Sequence, residues 1–512
     1  MSIPFLESRP ARPARPADGG RRVVPIPASV QARLDVLAST RGTRAAYLDA
    51  ASGQTLTWAA IARQVADWAA CLPPGTVVAL RIASPAAFSR AYLAGLAAGV
   101  CVAPVDPRAS ADELARALGV LEAADVVVGR EDDADLLAGS GATVWLSSAR
   151  GLRQLRSGRD TRLPAPGVAA VLPTSGTTGR PKLVPLSQPQ LLRVAAGIAG
   201  HHALTPAERG YCPLPLFHVN AQVVGLLSTL VAGCSLVVDD RFHASRFWAA
   251  AGEFSATWVN LVPAILGILA ELPPPPDAVA ERVRFARSAS APLPVPVHER
   301  FEAKTGIGVL ETYGMTEAAS QITASPLRAA DRQPGSAGRP AGVRVRITGA
   351  DGGELPAGET GTVEIRGRNV IHGYLGPGRT PVPARSGDGW LSTGDLARQD
   401  ARGFLYLAGR SNDVINRGGE KFHPREIEEV LLADPRVRNA VVVGRPHRLL
   451  GEEPVAYVVA DSGFDHGELL ARCERVLSPY KRPADVVVVD ALPAGPTGKL
   501  DRRALRASLN PA

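Results

Sequence analysis

The densest chemistry in this chain lies in Leu172-Pro173-Thr174-Ser175-Gly176-Thr177-Thr178-Gly179-Arg180-Pro181-Lys182. The segment follows an apolar run, Val168 to Leu172, and packs four hydroxyls and two glycines into the six residues from Thr174 to Gly179. Glycines let backbone N–H groups turn inward, hydroxyls add donors, and a lysine completes a cradle for a polyphosphate. The spacing is not the Walker pattern, which needs four residues between its glycines and a hydroxyl straight after the lysine. A second segment, Glu311-Thr312-Tyr313-Gly314-Met315-Thr316-Glu317, sets an aromatic ring, a hydroxyl and a carboxylate side by side. Such groups can stack on a base, touch a phosphate and hold Mg²⁺. A third, Ser392-Thr393-Gly394-Asp395, offers an aspartate that could take both hydroxyls of a ribose.

Two further segments lie downstream. Gly409-Arg410-Ser411-Asn412-Asp413 leads to Asn416-Arg417-Gly418-Gly419-Glu420-Lys421, and Pro496-Thr497-Gly498-Lys499-Leu500-Asp501-Arg502 sits near the end. A lysine on a glycine loop is a mobile cation that can meet a developing phosphate charge. Each segment alone also reads as an ordinary solvated loop, strand end or turn. Lysine usage weighs against that. The chain has five lysines among 57 Lys and Arg, and Lys182, Lys421 and Lys499 all fall inside these segments.

Positioning such loops calls for buried strands. Val77 to Leu80 and Val126 to Val128 read as strands, 57–71 and 111–123 as helices between them, and more strands are expected near 169–173, 235–239 and 257–261. Alternation of this kind predicts a layered α/β domain. From 335 to 410 short glycine-rich strands predict a small β subdomain. After Arg410 a helix starting at Pro424, strands at 439–443, 454–460 and 485–489, and a helix near 467–477 predict a small α+β domain. The expected organisation is a flexible tail over 1–22, an N-terminal domain over 23–410 and a C-terminal domain over 411–512.

Composition agrees with a globular chain: 512 residues, 46% apolar and 21% charged, too long for one ordinary core. The net charge of +8 is carried by arginines spread along the chain, so no nucleic-acid partner is expected. No run suits a signal peptide or a membrane span, so no membrane insertion is expected. Five widely spaced cysteines without a C-x-x-C pair argue against a disulfide framework or thiolate zinc site, and point to the cytoplasm.

In this order, the five segments resemble the superfamily of adenylate-forming enzymes: acyl-CoA synthetases, free-standing adenylation domains and beetle luciferases. The resemblance runs from about 30 to 505. Asn416 to Lys421, with Pro215-Leu216-Phe217-His218, is most similar to synthetases of the oxalyl-CoA type. It implies ATP, Mg²⁺ and coenzyme A as cofactors. The loop of Thr174, Ser175, Gly176, Thr177, Thr178, Gly179 and Lys182 would hold the β- and γ-phosphates. Tyr313 would stack on adenine, Thr316 would contact the α-phosphate, Glu317 would bind the metal, and Asp395 and Arg410 would hold the ribose. Lys499 would serve adenylation. Rotation of a mobile C-terminal domain about a hinge just after Arg410 would then exchange Lys499 for Gly418 and Gly419 on the pantetheine path. Phe217, His218, Asn220, Asn260, Ser290 and Gly314 would line the acid pocket. The chain departs from the family at Leu183, where glycine is usual, and at the hinge, where Asn412 stands for aspartate or lysine.

The implied reaction joins a small carboxylic acid to AMP, releases pyrophosphate and hands the acyl group to coenzyme A. A carrier protein, an amine or another small nucleophile is the alternative acceptor, and a non-catalytic binding protein the reading from another class. His218, Asn220, Asn260 and Ser290 suggest a polar pocket, and Arg287 is a candidate for a second carboxylate. Against that, Val223 to Leu236 is apolar enough for a longer tunnel, and Arg287 reads at least as well as a surface side chain whose stem covers the sheet.

Overall fold

The computed structural model describes residues 23–158, 165–174, 181–461, 463–493 and 500–509. Within them the large N-terminal domain is built on two nine-stranded sheets. The first runs, in spatial order, Arg339–Pro340, Ser320–Ala324, Val309–Met315, Ala286–Ser288, Trp258–Leu261, Arg209–Cys212, Ser235–Val238, Ala45–Asp49 and Thr55–Thr57. The second runs Pro381–Pro383, Gly373–Leu375, Lys182–Leu186, Ala170–Thr174, Cys101–Pro104, Val77–Arg81, Asp125–Val128, Thr143–Ser148 and Gly151–Arg156.

The inner strands are parallel and buried on both faces, which is why they read as unbroken apolar runs. Val78 and Leu80 join the main core with the helices Val30–Arg41, Pro85–Ala97 and Gln188–His201. Val77 and Ala79, on the opposite face, join a second core with the helix Ala111–Leu121. Helix starts follow local chemistry. Ser110 and Glu113 form a reciprocal cap, as do Ser187 and Gln190, and Ser84 caps a helix with proline in its first turn.

Two expectations are refined. The helix expected over 57–71 breaks at Arg63 and Gln64 into Trp58–Ala62 and Val65–Cys71. Gln64 is buried there, its amide donating to the carbonyl oxygens of Ser148 and Ala149, a tertiary bond that periodicity does not encode. Within 335–410, Arg344–Thr348, Thr360–Arg366, Leu391–Gln399 and Leu405–Arg410 form a separate four-stranded sheet. Arg339–Pro340 and the pair Gly373–Leu375 and Pro381–Pro383 leave it to extend the two large sheets.

The smaller C-terminal domain has its own core. Strands Glu420–Phe422, Ile415–Arg417, Gly451–Ala460, Val437–His447 and Asp485–Val488 pack against the helices Pro424–Leu432 and His466–Val476. Its helix Pro424–Leu432 meets the large domain through Arg425, whose Nη1 donates to the Leu407 carbonyl at 2.6 Å, while Arg300 Nη1 donates to that of Leu432 at 3.3 Å. Among the described residues no helix is long and apolar enough to cross a membrane.

Candidate active site

Strand Val309–Met315 delivers Tyr313 and then turns. Its pairing with Ser320–Ala324 slips between Tyr313 and Gly314, bringing the backbones together. A Cβ at Gly314 would lie 1.6 Å from the Ser320 carbonyl oxygen, so only glycine passes. The chain then folds through the short turn Thr316–Ala318, closed by Ala319 at φ +54°, which tucks Glu317 below the surface and leaves Thr316 half-buried at its start.

Tyr313 donates its hydroxyl to Asp395 Oδ2 at 2.6 Å, and Asp395 Oδ1 lies 2.8 Å from Arg410 Nε. Strands Leu391–Gln399 and Leu405–Arg410 set the last two opposite each other in register. Burial, then the Asp395 charge, pushes the Tyr313 phenol well above its ordinary range, so it remains a donor. The ring, the aspartate and the arginine expected around a nucleoside are thus brought together.

Glu317 has a partner that the sequence did not announce. Tyr374 donates its hydroxyl to Glu317 Oε1 at 3.1 Å, and Lys182 Nζ lies 4.9 Å from the centre of the Tyr374 ring. The strand Gly373–Leu375 pairs with Lys182–Leu186 through Leu375 and Leu183. Leu183 is buried in the second core, which accounts for an apolar side chain at this position. Thr174 lies opposite Lys182 on a hairpin and donates to its carbonyl oxygen at 3.4 Å. Ser175, Gly176, Thr177, Thr178, Gly179 and Lys499 fall outside the described residues.

Three of the acid-pocket candidates, Asn220, Asn260 and Ser290, gather around an arginine. Arg287 is 1% exposed, on the strand Ala286–Ser288, with its Nη1 3.0 Å from Asn220 Oδ1 and 3.1 Å from Asn260 Oδ1. Gln321 Oε1 lies 3.5 Å from Nη2, and Asn220 Nδ2 donates to Ser290 Oγ at 3.3 Å. Among the described residues no carboxylate pairs with this guanidinium. Burial pushes its pKa down to about 9. The surface reading of Arg287 is therefore corrected: the side chain crosses the buried face of a central strand and cannot snorkel. The tunnel reading is corrected too. Val223, Val224, Leu226, Leu227 and Leu230 have no surface within reach of water and pack into the main core.

Asn220 opens a π-helix, Asn220–Leu227, and the rings of Phe217 and His218 sit 4.2 Å apart just before it. Gly418 and Gly419, at φ +64° and +94°, make the turn between Ile415–Arg417 and Glu420–Phe422, where only glycine is at ease. Their N–H groups bond to Leu450 and Asn416, inside the small domain. The hinge candidate Asn412 lies in the turn Ser411–Asp413, fastened by Ser411 Oγ to the Gly394 carbonyl at 3.1 Å. Tyr374 and Gln321 went unread. The only signal was an aromatic beside a glycine for the first, and there was none for the second.

Residues 34–375 match the family described as AMP-binding enzyme, and residues 426–499 the AMP-binding enzyme C-terminal domain. The chain is 37% identical to the sulfoacetate–CoA ligase of Cupriavidus necator, over 91% of this chain and 97% of that protein. It is 34% identical to an oxalate–CoA ligase of Arabidopsis thaliana, over 87% and 90%. The crystal structure of ATP-bound MatB from Rhodopseudomonas palustris superposes with a TM-score of 0.83 at 30% identity, covering 94% of this chain and 98% of that one.

Proposed function

The chain belongs to the family of AMP-binding enzymes, and from that premise we propose that it activates a small carboxylic acid bearing a second anionic group, using ATP, and passes the acyl group to coenzyme A. A carboxylate oxygen of the acid attacks the α-phosphate, the bond from that phosphorus to the bridging oxygen breaks, and pyrophosphate leaves. The thiol of coenzyme A then adds to the acyl carbon, losing its proton, and AMP departs with the electron pair. Both steps build charge on fixed oxygens, a task of positioning and electrostatics.

Each residue takes one part of that task. Tyr313 carries the adenine on its ring, while Asp395, steadied by Arg410, takes the ribose hydroxyls. Thr174, Ser175, Gly176, Thr177, Thr178, Gly179 and Lys182 hold the β- and γ-phosphates, and Thr316 the α-phosphate. Lys499 neutralises the α-phosphate during the first step. Gly418 and Gly419 flank the pantetheine in the second, after the small domain turns at Asn412. Glu317 suits Mg²⁺: it is a buried carboxylate whose Oε1 accepts a hydrogen bond from a hydroxyl, and hard oxygen donors are what this ion binds. When bound, the ion lowers the charge on the phosphate oxygens. The five cysteines, free in the structure, suit a reducing compartment and a cytoplasmic enzyme.

The observation that carries the substrate class is Arg287. A fully buried guanidinium surrounded by neutral amides is costly unless an anion completes it. Relatives named for sulfoacetate and oxalate have substrates with two acidic groups, which supports the same class here. The test is product identification by mass spectrometry with Mg·ATP and pooled short dicarboxylic, sulfonated, aromatic and medium-chain acids, with and without coenzyme A. Thioesters of the two-anion acids alone, and only with coenzyme A, are expected. A monocarboxylic thioester would overturn the substrate class. An acyl-adenylate without thioester would move the acceptor to an amine or a carrier protein.

A further inference from the structure

We infer that Tyr374 is a positioning residue of the adenylation step, holding Glu317 and Lys182 apart and aimed at different parts of the same Mg·ATP. This rests on the roles given above to those two residues. One short segment makes three attachments to the turn that carries Glu317. Asn369 Nδ2 donates to the Ala318 carbonyl at 3.2 Å, Ile371 N to the Glu317 carbonyl at 2.9 Å, and Tyr374 OH to Glu317 Oε1 at 3.1 Å. Through Leu375 the segment also pairs with the strand that begins at Lys182. It is therefore the physical link between the carboxylate and the lysine.

The chemistry of a phenol explains why a tyrosine stands there. Its hydroxyl donates to one carboxylate oxygen, which orients the group and leaves the other oxygen free for a cation. The face of its ring holds an ammonium by a cation–π contact. Opposite charges brought into contact would pair and neutralise each other. Among the described residues no ion pair joins Lys182 to Glu317, and the two meet different parts of one tyrosine, the ammonium its ring and the carboxylate its hydroxyl. Phenylalanine would keep the ring and lose the orienting bond, and leucine would lose both.

The test measures ATP binding by calorimetry across a range of Mg²⁺ concentrations for the full chain and its Tyr374→Phe, Tyr374→Leu and Glu317→Gln variants. Tyr374→Phe is expected to need about tenfold more Mg²⁺ for the same ATP affinity, with Mg²⁺-free ATP binding unchanged. Tyr374→Leu is expected to add a roughly two- to fivefold loss of Mg²⁺-free ATP affinity, as the lysine leaves the ring. A Tyr374→Phe protein with wild-type Mg²⁺ dependence, whatever its thermal midpoint, overturns the role of Tyr374 provided Glu317→Gln shifts that dependence. If Glu317→Gln does not shift it, the reading of Glu317 itself falls, and this inference with it.

Discussion

The two ends of the candidate site solve opposite electrostatic problems. On the nucleotide side the two buried carboxylates of the candidate site already have protein partners: Asp395 accepts from Tyr313 and Arg410, and Glu317 accepts from Tyr374. On the acid side Arg287 is as deeply buried, yet among the described residues its Nη groups meet only the amide oxygens of Asn220, Asn260 and Gln321. A paired site is rigid before ligand arrives and gains selectivity from shape. A site with an uncompensated charge gains it from the free energy released when the right anion completes the pair. On the function proposed above, the nucleotide side meets one ligand in every cycle, while the acid side discriminates against acids that lack a second charge.

That contrast can be broken most severely at Arg287. Arg287→Met is expected to lower kcat/KM for a two-anion acid about a thousandfold, leaving the KM for ATP unchanged. The same variant should raise the thermal midpoint, since a costly buried cation is gone; steady-state kinetics and a melting curve check both halves. Asn260→Asp comes next. It places an internal carboxylate on Nη1, completes the pair without substrate, and should raise the acid KM about a hundredfold while holding or raising stability. A lower midpoint for either variant would mean that Arg287 is structural.

On the other side, Asp395→Asn weakens the grip on Tyr313 and Arg410 and should raise the KM for ATP about ten- to a hundredfold, with the acid KM little changed. The smallest effect is read by pH. Burial holds Arg287 at about 9, well below its unfolded value, so the charged form is lost in the folded protein as pH rises through 9. The acid KM should climb roughly tenfold per unit above that point, and Arg287→Met should abolish the climb. Below pH 9 the buried charge opposes folding in full, and this penalty fades as pH rises from 9 toward the higher unfolded value.

What could be read from residues alone divides along a similar line. Strands such as Val77–Arg81 and helices such as Ala111–Leu121 were legible because both their periodicity and their caps are local. Tyr313, Glu317, Asp395 and Arg410 stood out because each sits in a dense short segment, and the structure brings them into two contiguous groups. Arg287 was misread because nothing beside it says whether a strand residue faces solvent or a π-helix. That choice is made by Asn220 and Asn260, 67 and 27 positions away. Tyr374 was missed because its partners, Lys182 and Glu317, belong to other segments, and only the pairing of Leu375 with Leu183 brings them together.

The contact between the two domains also bears on how this chain can change over generations. Arg425 and Arg300 dock by donating to main-chain carbonyls, those of Leu407 and Leu432, rather than to side chains. A peptide oxygen is present whatever residue occupies the position, so the accepting surfaces can drift without breaking the joint. In these two bonds, the donating arginines are the partners that a point mutation can remove. A change of side chain at Leu407 or Leu432 therefore leaves both accepting oxygens in place.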